Sequence, residues 1–139
     1  MKNYLTKSEE ETRNLASKIA NYSNAKIFAL KGDLGSGKTT FVQGFAKGLG
    51  IKEKIISPTF VLVRIHKIPK TKKFLYHIDL YRLENEKQIK DFGILEIIQD
   101  PKNIVLIEWA EKAKSLLPKE TIWIHFETIS SSLRKITIK

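Results

Sequence analysis

The chain has no cysteine, so neither a disulfide framework nor a cysteine-based zinc site can be built, which agrees with a reducing compartment. It also lacks the run of about 18 apolar residues that a membrane span needs. Its start, Met1-Lys2-Asn3-Tyr4-Leu5-Thr6, has neither the apolar region nor the small-residue cleavage site of a secretion signal. A cytoplasmic protein without membrane attachment is therefore expected. Internal repeats, long linkers and low-complexity segments are missing too. A length of 139 residues suits one domain over positions 1–139, large enough to enclose a core.

Arginine is scarce. Of 25 basic residues only Arg13, Arg64, Arg82 and Arg134 are arginines, so the formal net charge of +10 rests on lysine. The one dense cluster is Lys67, Lys70, Lys72 and Lys73. Such a cluster can bind RNA or an acidic partner by releasing counterions, but a solvated surface is the plainer reading.

Ser8-Glu9-Glu10-Glu11 has the form of a capping box, and Thr12, Leu15, Ala16 and Ile19 follow at helical spacing, predicting a helix over 8–21. Residues 26–31 read as a buried strand. Phe41, Phe45, Ala46 and Leu49 mark one face of a helix over 37–49, with Gly50 as its stop. Two β-rich segments, 60–68 and 73–80, flank Pro69-Lys70-Thr71-Lys72 and predict an antiparallel hairpin. Helices are expected over 84–91 and 108–116, and strands over 103–107, 121–128 and 134–139.

Between the first buried strand and the second helix stands Gly32-Asp33-Leu34-Gly35-Ser36-Gly37-Lys38-Thr39-Thr40. Gly32 to Thr39 satisfies G-x-x-x-x-G-K-[ST], in the strand-loop-helix setting the motif requires. Glycines let successive amides turn inward toward a phosphate, and the helix adds its positive end. Lys38 then suits the β- and γ-phosphate oxygens, and the Thr39 hydroxyl suits Mg²⁺. A glycine-rich helix cap would account for the glycines but not for the Lys-Thr pair.

A magnesium-nucleotide site needs an acid at the end of a neighbouring strand. Ile104-Val105-Leu106-Ile107-Glu108 offers one, although Glu108 could simply begin the next helix. Trp109 beside it is either a core aromatic or a lid. In Tyr76-His77-Ile78-Asp79-Leu80-Tyr81-Arg82-Leu83, alternation puts His77, Asp79 and Tyr81 on one face. Solvent exposure is the simpler explanation of that polar face. Ser57-Pro58-Thr59 is an ordinary turn or a loop offering hydroxyls to a γ-phosphate. Asp91-Phe92-Gly93 resembles a kinase magnesium motif, but no His-Arg-Asp loop accompanies it. The three histidines, His66, His77 and His125, have no paired metal-ligand spacing. The absence of Asn-Lys-x-Asp disfavours guanine, and the shortage of arginines disfavours a small-molecule kinase.

Taken in order, the phosphate loop, Ser57-Pro58-Thr59-Phe60 with Leu62-Val63, Tyr76 to Leu83, and Leu106-Ile107-Glu108-Trp109-Ala110-Glu111 resemble the signatures of the TsaE family. These are bacterial ATPases of tRNA threonylcarbamoyladenosine biosynthesis. The likeness covers nearly the whole chain. Ser36, where the family often has Ala, is a harmless departure, and the tail after Thr128 matches least.

The resemblance implies an α/β P-loop domain, a mixed and mostly parallel sheet with an antiparallel hairpin, flanked by helices. It implies ATP and Mg²⁺ as ligands. Thr39 and Glu108 would hold the metal; Gly32, Leu34, Gly35, Ser36, Gly37, Lys38, Thr39 and Thr40 would form the phosphate cradle. Asp79 would orient or activate the attacking water, Thr59 would sense the γ-phosphate, and Trp109 would pack beside the site. Thr12 and Arg134 are candidates for the adenine, because the first helix and last strands can lie near the open side of the loop. By the same resemblance the ATPase is slow alone and acts on a two-protein complex that transfers the threonylcarbamoyl group to tRNA, touching tRNA only indirectly. ATP would reset or remodel that complex rather than supply the adenylated intermediate. A small-molecule kinase and a lysine-rich RNA-binding module are the alternatives.

Overall fold

A computed structural model describes residues 1–58 and 61–139. The strands are β1 (Lys2–Thr6), β2 (Ile27–Gly32), β3 (Val63–Lys67), β4 (Phe74–Asp79), β5 (Asn103–Glu108), β6 (Ile122–Thr128) and β7 (Arg134–Ile138). The helices are α1 (Glu9–Tyr22), α2 (Lys38–Gly48), α3 (Glu86–Phe92) and α4 (Ile94–Gln99), followed by a 3₁₀ helix over Ala110–Leu116. The strands form one sheet in the order β1-β7-β6-β2-β5-β4-β3. β6, β2, β5 and β4 are parallel neighbours, while β7, β1 and β3 join the edges by antiparallel pairing. The fold is thus α/β with a mixed sheet, mostly parallel in strand direction.

Alternation along the central strands divides the core between two faces. Phe28, Leu30, Leu106, Ile124 and Phe126 pack under α1 and α2, against Phe41 and Phe45. Ile27, Ala29, Ile78, Val105 and Ile107 pack on the other side against Ile89, Ile94, Ala110 and Ala113. The α2 aromatics Phe41 and Phe45 are essentially without exposed surface, and burying each stabilises by about 1.5–3 kcal/mol. That burial anchors the helix whose start carries the phosphate loop.

One half of the α1 capping box forms as expected: the Glu11 N–H donates to Ser8 Oγ at 3.1 Å. Glu11 in turn accepts from the Lys7 N–H at 2.8 Å. α1 lies so close to α2 that a Cβ on Gly44 would meet the Arg13 carbonyl oxygen at 2.2 Å, and one on Gly48 would meet the Ser17 carbonyl oxygen at 2.6 Å. Only glycines permit this crossing.

Several expectations change. β1 falls where no element was expected, its register fixed by β7. α4 follows α3 after a break at Gly93, whose φ is 97°. The hairpin is present, but its first strand is shorter, Val63–Lys67, and Phe60 lies outside the described residues. The helix expected from residue 108 begins only at Ala110, because β5 runs on through Glu108.

Candidate functional site

β2 ends at Gly32, and the chain turns back with the Ser36 N–H donating to the Asp33 carbonyl at 3.1 Å. Gly37 then caps α2 with φ 107°, a left-handed conformation that a side chain would strain. The Gly37 carbonyl accepts from the Phe41 N–H at 2.9 Å. The N–H groups of the first turn of α2 have no partner within the helix and therefore face the loop's concavity with the positive end of the helix dipole.

Lys38 is 5% exposed. Its ammonium donates to the Gly32 carbonyl, donates to the Asp33 carbonyl at 2.9 Å, and stands 4.2 Å from the centre of the Trp109 ring. Burial lowers its pKa from 10.5, and the carboxylates of Glu108, Glu111, Asp79 and Asp33 oppose that shift. Among the described residues no ion pair joins it to Glu108, Glu111 or Asp33. A buried cation satisfied by carbonyls is suited to a polyanionic ligand.

β4 and β5 end side by side, with Asp79 in register with Glu108. Both carboxylates are buried, at 2% and 3% exposure. The Thr39 hydroxyl lies 3.1 Å from each Glu108 oxygen. His77 Nε2 lies 2.5 Å from Glu108 Oε2, while His77 Nδ1 is buried and has no hydrogen-bond partner among the described residues. The consistent tautomer carries its proton on Nε2 and donates it to Glu108. Asp79 Oδ1 accepts from the Tyr81 N–H at 2.9 Å.

His77 and Asp79 share their strand face with Leu75, the face covered by α2. The expectation that this polar face is solvent exposure is therefore overturned, since His77 is 0% exposed. Tyr81, beyond the end of β4, is the exposed member of the trio and lies against Trp109, ring centres 5.1 Å apart. Trp109 has φ 58° and ψ 37°, a left-handed conformation costing a bulky residue about 1–3 kcal/mol. That turn sets the ring over Lys38.

These groups open into a cleft of about 470 Å³. Leu34, Gly35, Gly37, Lys38, Thr39 and Thr40 line it, with Ser57, Asp79, Glu108 and Trp109. Gly32 and Ser36 are buried within the loop and do not line the cleft, and Ser36 Oγ has no hydrogen-bond partner among the described residues. Thr59 lies outside the described residues. Thr12 and Arg134, distant in sequence, both reach the cleft wall. Thr12 is held by a 2.7 Å bond to Thr6 Oγ1, and Arg134 Nη2 donates to the Gly35 carbonyl at 3.3 Å.

The donor set fits a hard cation next to phosphates: one hydroxyl and one carboxylate from the chain, with room in the cleft for phosphate oxygens and water. Among the described residues no three His, Asp or Glu side chains gather to hold a metal by themselves. That suits Mg²⁺, which is commonly bound by one or two protein groups plus substrate oxygens.

The model of the family described as "Threonylcarbamoyl adenosine biosynthesis protein TsaE" matches residues 6–136. The chain belongs to the TsaE family. Among TsaE relatives named for tRNA threonylcarbamoyladenosine biosynthesis, that of Bacillus subtilis is 37% identical over 136 residues, 95% of this chain and 81% of the relative. The Rickettsia typhi TsaE is 38% identical over 134 residues, 95% of this chain and 90% of that one. The crystal structure of Bacillus subtilis YdiB superposes with a TM-score of 0.80 at 31% identity, covering 99% of this chain and 83% of its own. The TsaE match runs past Thr128 into β7, ending at residue 136, so it includes Arg134.

Sequence reasoning misses three parts of this TsaE site. Ser8 and Glu9 read only as helix caps, yet they line the cleft. Ser131 and Ser132 reach it from the turn between β6 and β7. His77 stands out in the sequence, but nothing there links it to Glu108. The family signature around residues 76–83 is the available signal for it.

Proposed function

We propose that the chain hydrolyses MgATP, and that hydrolysis acts on the two-protein complex that transfers the threonylcarbamoyl group to the adenosine beside the tRNA anticodon. The observation that carries the reading is the pair Asp79 and Glu108, in register at the ends of adjacent strands, beside Thr39 and the Lys38 loop. The names of the relatives supply the pathway. A cytoplasmic site of action and a single domain over 1–139 accord with it; among the described residues no helix is long and apolar enough to cross a membrane.

In this reading the amides at the start of α2 and the Lys38 ammonium hold the phosphates. Thr39 and Glu108 would hold magnesium, which would supply charge neutralisation for the phosphates. Asp79 orients a water and accepts its proton as the water oxygen bonds to the γ-phosphorus and the bond to ADP breaks. Thr59 senses the γ-phosphate. Thr12 and Arg134 flank the purine and ribose, and Trp109 with Tyr81 shields Lys38 from water. Arg134 spends its guanidinium on the carbonyls of Ser130, Ser131, Leu133 and Gly35, so it is not poised as an arginine finger. Turnover is accordingly slow until partner proteins complete the site.

The test is release of labelled γ-phosphate from ATP with magnesium. Lys38→Ala and Glu108→Ala should each lose at least about 100-fold in rate. Undiminished hydrolysis in both, or label arriving on a metabolite instead of water, would overturn the reading.

A further inference from the structure

Three neighbouring strands are each preceded by a lysine. Lys26 stands immediately before β2, Lys102 before β5 and Lys73 before β4, and these strands are adjacent in the order β2-β5-β4. Parallel neighbours lie about 4.8 Å apart, so one end of the sheet gathers three lysines from distant parts of the chain. Backbone bonds hold the alignment: the Phe74 N–H donates to the Lys102 carbonyl at 3.0 Å, and the Val105 N–H to the Lys26 carbonyl at 2.7 Å. The hairpin adds Lys67, paired in register with Phe74, and Lys70 and Lys72 at its turn. Five of these lysines are exposed and Lys26 is half-buried.

Among the described residues no carboxylate lies within ion-pair distance of the six ammonium groups. The acids nearby are otherwise engaged. Asp100 accepts from the Lys102 backbone N–H at 2.9 Å, and Glu53 holds His66. Lys26 and Lys73 approach each other so closely that their side-chain contact is the main cause of a lowered Lys26 pKa, with burial and mutual repulsion adding to it. An anion between them would relieve that repulsion.

We propose that this end of the sheet, opposite the nucleotide cleft, is a docking surface for the phosphate backbone of tRNA, a direct contact where the family resemblance implies only an indirect one. It rests on the reading that the chain serves tRNA modification, but not on ATP hydrolysis. Lysine is depleted from the cores of protein–protein interfaces, whereas lysine as a mobile point charge suits sequence-independent phosphate contact. Phe74, 36% exposed among the lysines, offers an aromatic edge for an unpaired base. The cleft lies about 20 Å away along β5, so both ligands can be held at once.

The test measures binding of an unmodified tRNA transcript to the full chain by fluorescence anisotropy across a salt series. Wild type should bind, with affinity falling as salt rises. The variant Lys26→Ala/Lys73→Ala/Lys102→Ala should bind about tenfold more weakly or worse, its log-log salt slope shallower by about 0.7–0.9 for each phosphate no longer neutralised. The fully exposed set Lys70→Ala/Lys72→Ala/Lys73→Ala guards against misfolding and should weaken binding in the same direction. Lys38→Ala should bind tRNA as wild type does, even though it is expected to lose hydrolysis. Absence of binding at low salt, wild-type affinity in both lysine variants, or a preference for vesicles of anionic phospholipid would overturn the proposal. If wild type hydrolyses no ATP yet binds tRNA, and the lysine variants lose that binding, the ATPase reading fails and this one stands.

Discussion

His77 has no exposed surface and directs a hydrogen bond at Glu108, the carboxylate that meets Thr39. If Glu108 holds magnesium as proposed, a donor fixed behind it sets which oxygen faces the metal, and losing such a partner costs about 10–100-fold in metal affinity or activity. His77→Phe should therefore raise the magnesium concentration needed for half-maximal hydrolysis. His77→Gln, whose amide nitrogen can stand where Nε2 stands, should recover part of the loss. Equal effects of the two variants on magnesium dependence would mean that His77 merely fills space. Lys38 gives a second prediction at this scale. Its pKa is lowered by burial, so the unfolded chain binds the Lys38 proton more readily than the folded chain does. The free protein should thus gain stability as pH rises through the folded pKa of Lys38 toward 10.5. Phosphates favour the charged form, so nucleotide affinity should be full below that folded pKa and fall as pH rises through it. Calorimetric titration at stepped pH checks this, and Lys38→Ala should flatten the profile.

The elements carry the site by close packing. α1 brings Ser8, Glu9 and Thr12 to the cleft only because Gly44 and Gly48 let it lie on α2. Gly44→Ala should destabilise the chain by about 1–3 kcal/mol, seen as a lower denaturation midpoint, and weaken nucleotide binding as the α1 wall shifts. An unchanged midpoint would show that the crossing relaxes freely. The elements also differ in how readable they are. The Ser8 cap and the phosphate loop are local devices, written in consecutive residues, and both stand where expected. β1 is not local: Lys2-Asn3-Tyr4-Leu5-Thr6 has no clean alternation and is a strand because β7 offers it an edge. The burial of His77 and Asp79 is illegible for a related reason. A strand's alternation says which residues share a face, but only the placement of α2 says that this face is covered.

At the scale of the molecule the parallel strands give the sheet two unlike ends. Their C-terminal ends carry Gly32, Asp79 and Glu108, where ligands of open α/β sheets bind. Their N-terminal ends carry Lys26, Lys73 and Lys102. With Lys67, Lys70 and Lys72 of the hairpin, six of the 25 basic residues are gathered by the fold at that end. The lysine run at 67–73 is visible in the sequence, but its union with Lys26 and Lys102 requires the strand order. The family is legible from separated motifs because residues from each of them, Lys38, Ser57, Asp79 and Glu108 among them, line one cleft.

The most direct test of an ATP-driven role in tRNA modification is the amount of threonylcarbamoyladenosine in tRNA from cells whose only copy of this protein carries Lys38→Ala. Loss of the modified nucleoside, with wild-type protein restoring it, is the predicted result. A normal level, with the variant protein present and folded, would contradict that role.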